Sequence, residues 1–82
     1  MVTPAVALER LNWLNKRLLA LERDFSRTPT KAIAEKALTL VATQKSFIRS
    51  VPEHEFNPIF VGYMNAANNL HLHWSVRLRS AR

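Results

Sequence analysis

Apolar residues recur along this chain at alternating steps of three and four. In the first third they are Leu11, Leu14, Leu18, Leu21 and Phe25. That spacing lines one face of an α-helix and matches a coiled-coil seam. Lys16, Arg23 and Arg27 fall on the far side, Leu8 and Leu19 widen one flank, and Trp13 stands off the seam on the other. The middle third repeats the scheme with Ile33, Ala37, Leu40, Gln44, Phe47 and Val51, supported by Val41 and Ile48. Two positions break it: Gln44 sets a polar group on the seam, and Leu38 points toward the polar side.

Helix starts are marked three times by a capping residue before proline: Thr3-Pro4, Thr28-Pro29 and Asn57-Pro58. A Thr or Asn side chain accepts from a free N–H of the first turn, and proline at the next position has no N–H to lose. The pairs divide the chain into segments 4–26, 29–51 and 58–79. Only a short turn around Ser26 to Thr28 separates the first two, so they form an antiparallel hairpin, about 33 Å long at ~1.5 Å per residue. Pro52 closes the second segment by pushing the residue before it out of the α region. Residues 53–56 then make a short connection.

The third segment reads two ways. Phe60, Tyr63, Ala67, Leu70 and Trp74 continue the helical spacing, yet Leu70, Leu72, Trp74, Val76 and Leu78 alternate strictly with polar residues, as in a half-buried strand. The helix is preferred, because a lone strand has an unpaired edge and no partner within the chain. The expected fold is therefore all-α, a single domain over residues 1–82. It is an antiparallel helical hairpin plus a third helix, a three-helix bundle. The alternative makes residues 70–79 a strand paired across a dimer axis.

Composition narrows the function more than it names it. The 82 residues include one glycine, Gly62, and no cysteine, which excludes a disulfide framework and a thiolate zinc site. No segment approaches a membrane span, and the N-terminus lacks a signal peptide's pattern. A small cysteine-free domain suits the cytoplasm. The formal net charge is +6, which permits nucleic-acid binding without demanding it. Basic residues are uneven: Arg77, Arg79 and Arg82 end the chain, whereas residues 52–76 contain Glu53 and Glu55 and no Lys or Arg.

Candidate chemistry is sparse. His71 and His73 would share a face only on a strand; on a helix they diverge by about 200° and cannot grip one ion. His54 lies between Glu53 and Glu55 without a partner at a defined spacing. No nucleophile elbow, phosphate loop or HExxH occurs. The expectation is a non-enzymatic protein with no metal, no cofactor and no small-molecule substrate.

Binding is what remains. Trp13, Leu38, Leu72 and Val76, with Leu19, fall outside the simplest seams, and aromatic or aliphatic groups near Arg resemble interface hot spots. Arg10 and Arg17 stand one turn either side of Trp13, within cation–π reach. The expected partner-binding set is Trp13, Arg17, Leu38, Leu72 and Val76. The apolar groups anchor, and Arg17 pairs with an acidic protein surface. A homodimer would cover Leu72 and Val76 and complete a small core. Gln44 is a candidate register or oligomer-state device, with Asn15 as its partner within the hairpin or across a dimer; otherwise the seam opens to water there. The alternative is a regulator contacting nucleic-acid phosphates through Lys16, Arg23, Arg27, Arg77, Arg79 and Arg82, although Glu9, Glu22 and Asp24 interrupt the first cluster. Membrane binding is not expected, because the apolar face of the first helix already has a partner in the second. The resulting expectation is a small regulatory or accessory protein acting on a protein partner.

Overall fold

A computed structural model describes residues 2–81. Three helices run through them: α1 (Pro4–Arg27), α2 (Lys31–Arg49) and α3 (Pro58–Ser80), with a 3₁₀ turn at His54–Phe56 before α3. The fold is an all-α three-helix bundle, and the described residues contain no strand.

Two of the proline pairs start helices. Thr3 accepts from the Val6 N–H at 3.3 Å ahead of Pro4, and the Asn57 side chain accepts from the Ile59 N–H at 3.0 Å ahead of Pro58. The third pair does something else. Thr28 ends α1, donating its N–H to the Asp24 carbonyl at 2.9 Å. Pro29 holds it at φ −140°, ψ 87°, outside the α region. Thr30 then caps α2, accepting from the Ile33 N–H at 3.4 Å. Thr28-Pro29 is a stop signal, and the start lies two residues on. Before the 3₁₀ turn, Glu53 takes the left-handed conformation at φ 57°, and the ring Nδ1 of His54 lies 3.0 Å from the Val51 carbonyl.

The chain folds up, down and up, so α1 and α3 run parallel with α2 antiparallel to both. The core follows that arrangement in two clusters. At one end, Leu18 of α1 meets Ala34, Ala37 and Val41 of α2 and Ala67 and Trp74 of α3. At the other, Ala7 and Leu11 meet Ile48, Val51 and Phe60. The seam of α2 is rotated from the expected one: Ala34, Ala37, Val41, Gln44 and Ile48 are buried, while Ile33, Leu40 and Phe47 are only half-buried. A helix flanked by two others centres its buried face between them, and small residues such as Ala34 and Ala37 allow close approach. The same rotation brings Leu38 against the core.

Between the clusters sits a polar contact. Gln44, only 3% exposed, donates through Nε2 to Asn15 Oδ1 at 2.6 Å. A buried amide without a partner costs roughly 1–3 kcal/mol, so shifting α1 against α2 by a turn is penalised. The pair ties the register of the hairpin.

Residues 70–79 are helical throughout, which removes the strand alternative. Their alternation has a helical origin: Leu70, Trp74 and Leu78 form one i,i+4 row facing the core, and Leu72 and Val76 form another facing out. Two such rows, offset by two residues and about 200° apart on a helix, read along the chain as period two.

Candidate partner-binding faces

The outward face of α1 is basic and carries an exposed aromatic ring. Helical spacing puts Arg10, Trp13, Lys16, Arg17, Arg23 and Arg27 away from the buried stripe of Ala7, Leu11, Leu14 and Leu18, and all six are exposed. Trp13 keeps 56% of its surface in water, with the Arg17 guanidinium 4.9 Å from its ring centroid. Arg10 turns instead to α2, 5.6 Å over the Phe47 ring. Val6, Glu9, Arg10 and Trp13 line a shallow depression of about 550 Å³. Arg17 also borders a larger open groove of about 700 Å³ between α1 and α2.

This face is more positive than the residue order suggests. Among the described residues no ion pair forms within α1. Glu22 points instead to α3, where Arg77 Nη2 donates to its Oε1 at 2.9 Å and His73 Nε2 lies 3.9 Å from it. Withdrawing Glu22 leaves Asp24 as the acidic residue among the basic ones after Glu9.

The expected partner-binding residues do not converge. Trp13 and Arg17 sit together on α1. Leu38 is half-buried and packed on the core, so it joins no surface patch. Leu72 and Val76 are 65% and 55% exposed, but on the outward side of α3. The basic set divides too. Lys16, Arg23 and Arg27 form one exposed row on α1, with spacings of seven and four, and Arg79 is exposed on α3. Arg77 is engaged internally: its guanidinium lies 4.6 Å from the Trp74 centroid and 5.2 Å from that of Phe25, in addition to the bond to Glu22. That geometry withdraws it from phosphate contact. Arg82 lies outside the described residues.

Other exposed apolar groups were not singled out from the sequence. Val6 stands seven residues before Trp13 on the same helical row, a spacing that could have revealed it. Val61 bears the same relation to Leu72 at eleven residues. Phe56, the most exposed large apolar side chain described, and Ile59 flank the start of α3 and carry no periodic signal. Among the described residues, no three His, Asp or Glu side chains gather within reach of one ion, and no helix is long and apolar enough to cross a membrane. Comparison with known protein families, with curated proteins and with solved structures returns no match.

Proposed function

We propose that this protein is a small non-enzymatic regulatory or accessory factor of the cytoplasm that acts by binding an acidic surface of a protein partner through the outward face of α1. The observation that carries this reading is Trp13, exposed in a basic setting with the Arg17 guanidinium over its ring. A tryptophan buries on the order of 200 Å² when fully enclosed. Covering the exposed half would contribute roughly 2–3 kcal/mol at ~25 cal/mol per Å². Arg17 supplies the charge that orients an acidic partner, and the neighbouring depression at Val6 and Arg10 gives a partner side chain somewhere to seat.

A second reading is supported by the row of Lys16, Arg23 and Arg27, which has no carboxylate bound to it among the described residues. Such a row suits phosphates. Three contacts would give a salt slope of about −2.7 in a log–log plot for duplex DNA.

Emission from the two tryptophans tests both readings. Trp74 is buried and Trp13 exposed, so a protein seated on α1 shifts the long-wavelength component to the blue. Trp13→Ala should weaken capture of that protein by tenfold or more, and Arg23→Glu/Arg27→Glu should weaken it less. The reverse order, with anisotropy showing steeply salt-dependent binding to DNA or RNA, would replace the first reading with the second. Protein capture indifferent to Trp13→Ala would sink the assignment to this face.

A further inference from the structure

We infer that the outward face of α3 pairs with the same face of a second copy of this chain, the two helices running antiparallel about a two-fold axis near Asn68 and Asn69. This surface is distinct from α1's basic face, and the inference stands whether or not α1 binds a protein.

The pattern comes first. Val61, Asn65, Asn68, Leu72, Val76 and Arg79 are all exposed and recur at steps of four, three, four, four and three. At ~100° per residue they form one continuous stripe, opposite the buried Phe60, Ala67 and Trp74. A helix with a seam on each side is one placed between two partners, and the bundle supplies only one of them. Leu72 and Val76 remain more than half exposed.

Charge identifies the occupant. The chain carries +6, so most approaches of one copy to another bring like charges together. From Pro58 to Val76, α3 contains no Lys, Arg, Asp or Glu. It is the one helix whose outward side lets two positively charged copies meet without confronting charges. The ends of the stripe are opposite in sign: exposed Glu53 and Glu55 precede the helix, and exposed Arg79 stands in its last turn. Parallel pairing would set Arg79 against Arg79 and the glutamates against each other. Antiparallel pairing sets Arg79 of each copy near Glu55 of the other.

The same arrangement makes the stripe self-complementary. With the axis between residues 68 and 69, Val61 faces Val76 of the second copy, Asn65 faces Leu72, and Asn68 faces Asn69. An interface about a two-fold axis counts every contact twice. Asparagines within an otherwise apolar seam are an attested means of fixing register. Here Asn68 and Asn69 fall at the axis, where a slip of one turn toward the C-terminus would set Asn68 against Leu72.

The test starts with sedimentation velocity on the full chain across a concentration series. The expected species is twice the 9.4 kDa chain; a monomer at ~100 μM in moderate salt overturns the inference, since the dissociation constant would then exceed the range of a specific pair. Leu72→Glu should raise the dissociation constant by about a hundredfold while leaving helical circular dichroism unchanged, because Leu72 is exposed in the bundle. A dimer indifferent to Leu72→Glu uses another face. Orientation is read by charge exchange. Arg79→Glu and Glu55→Arg should each weaken the dimer, and the double variant should restore it. Because the chain has no cysteine, disulfide trapping gives an independent reading. Asn68→Cys should cross-link to itself on oxidation, whereas Val61→Cys should cross-link only to a Val76→Cys chain. Self-linked Val61→Cys would show parallel pairing and overturn the arrangement.

Discussion

Trp13 and Trp74 occupy the same local device in two regions of the molecule and end in opposite roles. Each has an arginine over its ring, Arg17 at 4.9 Å and Arg77 at 4.6 Å. Trp74 is 1% exposed and Trp13 is 56% exposed. Around Trp74 everything converges: Phe25 meets it edge-on at 5.5 Å and 83°, Arg77 covers both rings, and Glu22 anchors Arg77. Each arginine comes from the tryptophan's own helix, but around Trp13 no second helix adds a ring or a carboxylate as α1 does around Trp74. The cation–π contact is therefore not what makes a tryptophan structural. What decides is whether a second helix closes over the ring, and over Trp13 none does.

The sharpest way to break this contrast is to remove the rings. Trp74→Ala should lose about 3–5 kcal/mol, comparable to the whole stability of many small domains, so the chain should be largely unfolded by circular dichroism at room temperature. Trp74→Phe keeps part of the packing and should remain folded with a lower urea midpoint. Trp13→Ala should move that midpoint by no more than ~0.5 kcal/mol, as surface changes do. A large loss from Trp13→Ala would mean that Trp13 belongs to the fold, and the contrast would fail.

The arginines give the next, smaller difference. Arg77→Ala removes the cover on two aromatic rings and leaves Glu22 without its partner; the expected loss is about 1–2 kcal/mol in a urea titration. Most of that is packing, because the ion pair is partly exposed and weak on its own, so raising the salt should change the wild-type midpoint little. Arg17→Ala should be silent in the same titration. Equal losses from the two variants would show that the contact itself, and not the enclosure, carries the stability.

The fold was legible in the sequence because each level agreed with the next. Leucine spacing gave α1, Thr3-Pro4 and Asn57-Pro58 gave true starts, and Gln44 with Asn15 gave a polar pair that the structure places inside the hairpin. Misreadings arose where one residue answers to two neighbours. Thr28 stands at an end and beside a proline, so it closes the helix behind it through its backbone N–H, and Thr30 caps the next. The face of α2 turned by about 60° at ~100° per residue, because its burial is shared with α3, which no pattern within α2 records; Leu38 moved inward with it. Arg77 looked free because its partner, Glu22, lies 55 positions away. The surface was less legible for a simpler reason. Periodicity marks what is buried, and Phe56 and Ile59 lie where no period runs.

The finest distinction between the two regions concerns what Arg17 contributes to the exposed one. Its guanidinium can act as a flat cover that holds the Trp13 ring in one rotamer, or only as a positive charge offered to an acidic partner. Arg17→Lys separates these, because lysine keeps the charge and loses the planar stack. If stacking matters, the lysine variant should bind the partner about two- to fivefold more weakly and expose Trp13 more readily to acrylamide quenching. If charge alone matters, Arg17→Lys should match wild type in both, while Arg17→Ala loses affinity and salt dependence together. The 4.9 Å approach of Arg17 to the ring favours the first outcome. An exposed aromatic side chain held in place before binding has less conformational freedom to lose on contact, which gives an otherwise solvent-covered arginine a role even where it stabilises nothing in the free protein.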